Sequence, residues 1–278
     1  MEASDQHFLH LPAHHLIYGR VPKAANSSVK AALTRLIRPE LQRSRRQLGQ
    51  RLQHLFRPSR SWQSFPSQMD QYWDLLPASI ARPVDRATAL ELTSRCFSFA
   101  VVRNPFDRIL SAYNNKVIEI PVCPGRMRAI GIRSGMPLAG FLERVCAARS
   151  EDLDIHVLPQ VEILCVAGRP VPTWVAYAEN LSVHWTFLVR KARRAGISGL
   201  PRHLPTKNTR RQGDSADLRS LLADRSLVAL VRQRYRDDLR IFYPWLLEGE
   251  LSVEKVRLGG PRRPRHFFGA PVAPLRAA

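Results

Sequence analysis

The stretch that most constrains how this chain can fold is LIYGRVPKAANSSVKAALTRLI, residues 16–37. Its first residues form an apolar run that ends at Gly19, which predicts a short buried strand. Beyond a short loop, small and apolar side chains recur at helical spacing, which predicts a helix with Ser27 or Ser28 as its N-cap. The sequence therefore predicts a strand, a short loop and a helix in direct succession.

The loop between that strand and that helix has the chemistry of an anion site. A helix N-terminus leaves backbone N–H groups pointing outward, and the positive end of the helix dipole favours a bound phosphate. Lys23 adds a mobile positive charge, and Ser27 and Ser28 add hydroxyl donors. The loop does not follow the nucleotide triphosphatase signature G-x-x-x-x-G-K-[ST], because Lys23 comes early and no glycine separates it from Ser27.

A second strand, turn and helix is predicted by CFSFAVVRNPFDRILSAYNNK, residues 96–116. An apolar run rich in β-forming residues precedes Arg103, Asn104 can cap the following helix, and Pro105 suits its first position. Arg103 is thus expected at the end of the strand and Ser111 on the helix. A guanidinium beside a serine hydroxyl suits a phosphate monoester, because the planar fork can bind two oxygens at once.

These two stretches resemble the paired motifs of one enzyme family. R-V-P-K-A-A-N-S-S resembles the 5′-phosphosulfate loop of carbohydrate sulfotransferases that use 3′-phosphoadenosine 5′-phosphosulfate (PAPS), and R-N-P-F-D-R-I-L-S-A-Y resembles their 3′-phosphate motif. The resemblance is to sulfotransferase family 2, which comprises the Golgi-type enzymes and their bacterial relatives. It implies that this chain is a transferase that moves a sulfuryl group from PAPS to a hydroxyl of a carbohydrate or glycoconjugate.

The resemblance also implies roles for individual residues of both motifs. The 3′-phosphate is expected at Arg103 and Ser111, while Arg108 and Tyr113 of the same motif are open to a purely structural role. Lys23 is expected to stabilise the bridging oxygen as adenosine 3′,5′-bisphosphate leaves. The residues expected to hold the 5′-phosphosulfate are Arg20, Lys23, Ala24, Ala25, Asn26, Ser27 and Ser28.

Transfer to a hydroxyl also needs a group that takes the hydroxyl proton. Histidine is suited to this role because its unperturbed pKa of about 6.5 is close to neutral pH. His156 lies in H-V-L-P-Q, which resembles the family's H-W-x-P-Q segment with valine in place of tryptophan, and it is the expected base. The alternative is that His156 and Gln160 only orient the acceptor or hold the loop, with Asp154 or Glu162 as the base. No metal is expected, because the sulfuryl donor carries less charge at its reacting centre than a nucleoside triphosphate.

The chain is expected to form one α/β domain over residues 1–250. The expected architecture is a P-loop-like three-layer fold, with a central parallel sheet flanked by helices and nucleotide at the carboxyl ends of its strands. Further helices are predicted at residues 137–148 and 218–247. The stretch PTWVAYAENL, residues 172–181, resembles the family's strand followed by a short turn, which implies a further strand at Trp174–Tyr177. Within the last helix, the spacing Y-x-x-D-x-x-x-F, which includes Asp238, also resembles the family.

Two regions are not covered by the resemblance. Residues 39–90 are rich in arginine and carry scattered aromatic side chains, and they form a variable insertion. Two interpretations of it stay open: a lid over the acceptor site, or a segment that packs its own aromatic residues. Residues 251–278 are an arginine- and proline-rich tail that is expected to be partly disordered.

The chain is strongly basic, with 43 lysines and arginines against 23 aspartates and glutamates and a formal net charge of +20. Such a charge suits a polyanionic cofactor, an acidic polymer or nucleic acid. Two other classes therefore stay open: a nucleotide-dependent kinase with a phosphate-binding loop, and a basic nucleic-acid-binding protein. The paired phosphate motifs argue against nucleic acid as a partner, because binding through bulk charge needs no such arrangement.

The remaining sequence features concern the redox compartment and the cellular location of the protein. The four cysteines lie far apart with no C-x-x-C pair, which predicts reduced structural thiols. No apolar run reaches the ~20 residues of a membrane span, and the N-terminus lacks the layout of a signal peptide. We therefore expect a cytoplasmic bacterial protein without a membrane anchor, for which peripheral membrane contact stays open. Neither the identity of the acceptor nor the oligomeric state follows from the sequence.

Overall fold

The computed structural model describes residues 6–44, 70–205 and 218–267. Its centre is a six-stranded sheet with the strand order β3-β1-β2-β4-β7-β8, and β5 and β6 form a separate small hairpin. The strands are β1 (Phe8–Leu11), β2 (Leu16–Gly19), β3 (Arg82–Val84), β4 (Phe97–Val102), β5 (Cys165–Val166), β6 (Arg169–Pro170), β7 (Trp174–Tyr177) and β8 (Arg265–His266).

Helices surround this sheet and connect its strands. They are α1 (Asn26–Leu36), α2 (Asp70–Asp74), α3 (Arg86–Leu92), α4 (Pro105–Tyr113), α5 (Gly125–Ala129), α6 (Leu138–Ala147), α7 (Gln160–Leu164), α8 (Leu181–Arg194), α9 (Leu218–Ala223), α10 (Arg225–Arg234), α11 (Arg236–Phe242) and α12 (Val253–Leu258). Residues 38–44 are also helical, and a π-helical turn, Asn114–Ile118, continues α4. Among the described residues, no helix combines the length and apolar character needed to cross a membrane.

The predicted α/β class is confirmed, but the expectation of a parallel sheet is right only for its centre. β2, β4 and β7 are parallel neighbours, whereas β1 is antiparallel to both β2 and β3, and β8 is antiparallel to β7. The connection between β1 and β2 is a single short turn, Pro12–His14, which can only reverse the chain. The sheet therefore has a parallel centre with antiparallel neighbours on both sides, β1 on one side and β8 on the other.

Both faces of the sheet are covered, which explains why β4 is apolar except for Ser98, whose buried hydroxyl donates to the hydroxyl of Thr173 at 2.9 Å. Phe97, Phe99 and Val101 face the cluster that contains the buried side of α1 and α8. Ala100 and Val102 belong to the opposite cluster, with the buried side of α4. A central strand with both faces buried cannot alternate apolar and polar residues, so its run of apolar side chains is what the fold requires.

Two predicted elements are confirmed and a third is divided. The helix expected at residues 137–148 is α6, and the strand expected at Trp174–Tyr177 is β7. The helix expected at residues 218–247 is instead three helices, α9 to α11. The first break is at Asp224, whose carboxylate caps α10 by accepting the N–H groups of Ser226 (2.9 Å) and Leu227 (3.2 Å).

The C-terminal segment belongs to the folded unit. The domain is expected to end at residue 250, yet residues 251–267 contain α12 and β8, and β8 is a strand of the central sheet. The carbonyl of Pro261 accepts hydrogen bonds from the side chains of Asn180 (3.3 Å) and His184 (3.0 Å). Residues 268–278 lie outside the described residues.

The insertion at residues 39–90 is described only in part. Residues 45–69 lie outside the described residues, so the lid interpretation is untested there. Tyr72 and Trp73 are 6% and 0% exposed and belong to the core cluster that includes Tyr18. For these two aromatic residues the interpretation as packing residues is correct.

All four cysteines are unpaired thiols, as predicted. Burial raises the pKa of Cys146 to about 11 and that of Cys165 to about 12. These two side chains are therefore protonated at neutral pH and are poor nucleophiles.

Replacing Phe99 by alanine is expected to destabilise the fold strongly. Phe99 is 1% exposed, and its ring centroid lies 5.1 Å from that of Tyr18 and 6.2 Å from that of Trp185. The cavity left between α1, α8 and the sheet should lower the free energy of unfolding by ~3–5 kcal/mol, measured by denaturant unfolding. Leu258→Ala, at a position 67% exposed, is the control and should change it by less than ~0.5 kcal/mol. Equal effects of the two changes would contradict this account of the core.

Candidate active site

The carboxyl ends of β2 and β4 bring the two predicted phosphate motifs together. The strands are parallel neighbours with Gly19 opposite Ala100, so the residues that follow each strand emerge at the same edge of the sheet. Nη1 of Arg103 donates a hydrogen bond to the carbonyl oxygen of Lys23 at 3.2 Å. The loop from Val21 to Ala25, called the anion loop below, is therefore in direct contact with the arginine of the second motif.

The backbone of the anion loop differs from the expectation in where the helix begins. α1 starts at Asn26 with Ala25 as its N-cap and without a side-chain cap, so the predicted Ser27 or Ser28 cap is wrong and both serines lie within the first turn. Lys23 and Ala25 have left-handed backbone angles (φ 67° and 58°). A non-glycine residue in that region costs roughly 1 kcal/mol or more, and such outliers cluster at functional sites.

The side chains of the predicted 5′-phosphosulfate set have different surroundings. Lys23 Nζ donates to Oδ1 of Asn115, which lies on the π-helical turn after α4. Oδ1 of Asn26 accepts from the hydroxyl of Tyr18 at 3.0 Å. Ala24 and Ser28 are buried, and Ala25 and Ser27 are half-buried. The guanidinium of Arg20 contacts Asp74 at 3.4 Å and the carbonyl of Gln6, on the side of α2.

Helix α4 carries the second motif along the side that faces the anion loop. Arg108 of α4 contacts the loop at the carbonyl of Pro22 (3.1 Å), and Asn115, on the π-helical turn that continues α4, contacts it at Lys23. Ser111 lies between them on that side and is half-buried. The predicted cap is confirmed: Asn104 Oδ1 accepts the N–H of Asp107 at 2.8 Å, and Pro105 is the first helical residue.

Arg108 holds the candidate site together. It is 1% exposed and donates to the carbonyls of Pro22 (3.1 Å), Leu158 (2.8 Å) and Ile155 (3.2 Å). Burial lowers the pKa of Arg108. These bonds give Arg108 the structural role that the sequence left open, and they fix the anion loop against the segment that contains His156.

His156 and Asp154 form a hydrogen-bonded pair. Nδ1 of His156 lies 2.6 Å from Oδ1 of Asp154, which also accepts the backbone N–H of His156 at 3.0 Å. Burial alone would raise the pKa of Asp154, but its hydrogen bonds with His156 outweigh this and lower it. Because the ionised carboxylate can only accept, Nδ1 carries the hydrogen and Nε2 carries the lone pair.

Burial also decides the protonation of His156. It lowers the pKa of the imidazole, Asp154 opposes this, and the positive charges of Lys116 and Lys23 lower the pKa further. The ring is therefore neutral at pH 7 and suited to accept a proton at Nε2. Of the rival bases, Asp154 orients His156, while Glu162 accepts from the hydroxyl of Ser150 at 2.5 Å. The contacts favour His156 over Glu162.

Gln160 holds the backbone of Arg103, which agrees with the loop-holding role that the sequence left open for it. Its side chain accepts the N–H of Arg103 at 2.9 Å and donates to the carbonyl of Arg103 at 2.8 Å. Asp238, which is fully buried, accepts the N–H groups of Gln160 (2.9 Å) and Val161 (2.8 Å). The sequence signals for this network are the Y-x-x-D-x-x-x-F spacing, which includes Asp238, and the H-V-L-P-Q segment, which includes Gln160.

Glu179 supports the second motif from the turn that follows β7. Its carboxylate accepts the N–H and the side-chain amide of Asn104 at 2.7 Å each and the hydroxyl of Tyr243 at 3.1 Å. Burial raises the pKa of Glu179. Glu179 therefore fixes the turn between Arg103 and α4 from the side of β7.

Comparison with known proteins gives one match. The family model of sulfotransferase family 2 matches residues 6–244, which include the anion loop, the Arg103 motif and the His156 segment. No curated protein and no solved structure gives a significant match to the chain.

The pKa of His156 provides a direct test of the pair with Asp154. We expect it to lie below the usual value of about 6.5, and Asp154→Asn should lower it further, because the carboxylate stabilises the imidazolium. NMR titration of the imidazole, assigned with His156→Gln, measures both. Asp152→Asn, which removes the same charge from an exposed neighbouring position, should leave the pKa unchanged. A His156 pKa that does not respond to Asp154→Asn would refute this electrostatic coupling.

Proposed function

The chain belongs to sulfotransferase family 2, whose members transfer a sulfuryl group to an acceptor, and we propose that its donor is PAPS and its acceptor a hydroxyl of a carbohydrate. The observation that carries this proposal is the hydrogen bond from Arg103 to the carbonyl of Lys23. Two anion-binding motifs in contact suit one molecule that bears an anion at each end, and adenosine with 5′- and 3′-phosphates is such a molecule.

In this proposal the anion loop is a P-loop-like element. The 5′-phosphosulfate is held by backbone N–H groups around the N-terminus of α1 and by side chains of the first motif, and the 3′-phosphate by Arg103 and Ser111. The left-handed residues Lys23 and Ala25 support this assignment. The residues we assign to the 5′-phosphosulfate are Arg20, Lys23, Ala24, Ala25, Asn26, Ser27 and Ser28.

The proposed reaction is an in-line displacement at sulfur. The acceptor oxygen forms a bond to sulfur as the bond from sulfur to the bridging oxygen breaks, and the hydroxyl proton passes to Nε2 of His156. Adenosine 3′,5′-bisphosphate leaves with the bonding electron pair, and the ammonium of Lys23 stabilises the charge on its oxygen. Lys23 must exchange Asn115 for that oxygen. Positioning and electrostatic stabilisation provide most of the catalysis, as in phosphoryl transfer.

The carbohydrate acceptor and the cellular compartment are inferred from less specific features. The carbohydrate acceptor is inferred from the resemblance of the motifs, and the net charge of +20 favours an anionic glycan over a neutral one. The unpaired cysteines support a reducing compartment, and we propose a cytoplasmic bacterial enzyme.

Lys23→Ala should reduce turnover by roughly 10²–10³ while leaving the fold intact, because it removes one charge that acts on the leaving group. The measurement is transfer of radiolabelled sulfuryl from PAPS to a panel of glycans. Lys191→Ala is the matched control, since Lys191 lies over the ring of Trp174 (4.9 Å) at the opposite edge of the sheet. Unchanged turnover in Lys23→Ala would contradict the proposed role.

A kinase would share the first motif but would need magnesium and would tolerate the loss of Arg103. Calorimetry with adenosine 3′,5′-bisphosphate and with ATP plus Mg²⁺ separates the two functions. We expect the bisphosphate to bind more tightly, and Arg103→Gln to weaken its binding. Tighter binding of Mg²⁺–ATP that is indifferent to Arg103 would favour the kinase.

A further inference from the structure

The C-terminal helix brings an arginine to the candidate active site from outside the family match, which ends at residue 244. α12 begins after Ser252, whose hydroxyl accepts the N–H of Lys255 at 3.1 Å, and it buries Val256 in the core. On the side toward α4 it carries Arg257. Asp107, on the first turn of α4, is the partner of this arginine.

The contact between Arg257 and Asp107 has the geometry of a two-pronged ion pair. Nη2 of Arg257 lies 3.3 Å from Oδ1 of Asp107, and Nε lies 3.4 Å from Oδ2. Nη2 of Arg103 lies 4.0 Å from the same Oδ1, beyond hydrogen-bond distance. One carboxylate, 9% exposed, is thus shared unequally between two guanidinium groups, and Arg257 holds the shorter contacts.

This arrangement matters because a carboxylate beside Arg103 opposes the binding of a phosphate there. Without Arg257, Asp107 would keep the neutral side-chain amide of Asn104 as a donor (3.1 Å to Oδ2), and its charge would repel the phosphate and compete with it for the guanidinium of Arg103. Pairing with Arg257 cancels that charge and occupies both carboxylate oxygens. The side chain of Arg257 is 55% exposed, so it contributes little to the core.

We propose that Arg257 is a positioning residue for the 3′-phosphate: by pairing with Asp107 it leaves Arg103 to the ligand. This inference rests on the proposed function, since it assigns the 3′-phosphate to Arg103. Arg257 acts through Asp107, so its importance depends on the negative charge of that residue. A direct phosphate ligand, or a residue that only holds α12 in place, would not show this dependence.

The test is a set of four proteins: the unchanged chain, Arg257→Gln, Asp107→Asn and the double variant. Calorimetry measures the affinity of each for adenosine 3′,5′-bisphosphate and for adenosine 5′-monophosphate, which lacks the 3′-phosphate. Arg257→Gln should weaken bisphosphate binding about 10-fold, the order expected for one charged interaction at a half-exposed site. Binding of the monophosphate should change less than about twofold, because its only phosphate lies in the anion loop.

The double variant decides the mechanism. In the double variant positions 107 and 257 are both uncharged, so it should bind the bisphosphate within about threefold of the unchanged chain. The single variant Asp107→Asn should bind the bisphosphate at least as tightly as the unchanged chain. Arg263→Gln is the control for net charge, since Arg263 is an exposed arginine of the same segment, and it should have no effect. Thermal unfolding of every variant checks the fold, because Asp107 also stabilises the N-terminus of α4.

Two results would overturn the inference alone. Arg257→Gln could bind the bisphosphate as the unchanged chain does, or the double variant could bind as weakly as Arg257→Gln, which would mean that Arg257 does not act through Asp107. A third result would overturn the proposed function as well: an unchanged chain that binds the bisphosphate no more tightly than the monophosphate.

Discussion

The buried guanidinium of Arg108 is the interaction on which the candidate site depends. Placing an arginine away from water costs several kcal/mol unless its donors are satisfied, and here they meet the carbonyls of Pro22, Leu158 and Ile155. The first carbonyl belongs to the anion loop, and the other two lie on either side of His156 in the chain. One side chain of α4 therefore sets the position of Lys23 relative to His156, although the two belong to separate segments of the chain.

Around this point the carboxylates are engaged by partners within the protein. Asp154 binds His156, Asp107 binds Arg257, and buried Asp238 accepts the N–H groups at the start of α7. With those carboxylates engaged, Lys23 and Arg103 present an excess of positive charge at the carboxyl ends of β2 and β4. A site of this kind favours a ligand with several anionic groups, which is the electrostatic reason for proposing a bisphosphorylated nucleotide.

The sequence predicted the features that depend on local physics. Apolar runs and periodicity gave β2, β4 and α6, and the Asn104 cap with Pro105 gave the start of α4, because each is decided within a few residues. β7 was predicted from the family resemblance instead. The sequence pattern predicted a start for α1 that is too late. The actual N-cap is Ala25, and propensity does not assign a left-handed conformation to alanine. The pattern missed β8 and the pair of Arg257 with Asp107, because these depend on contacts between distant parts of the chain.

We propose that the anion loop after β2 and the Arg103 motif after β4 hold opposite ends of one adenosine bisphosphate. The most direct measurement is a crystal structure of the protein with adenosine 3′,5′-bisphosphate. The account predicts the 5′-phosphate within the anion loop at the N-terminus of α1, and the 3′-phosphate against Arg103 and Ser111. A nucleotide bound elsewhere on the protein, or bound with its 3′-phosphate in contact with neither Arg103 nor Ser111, would contradict it.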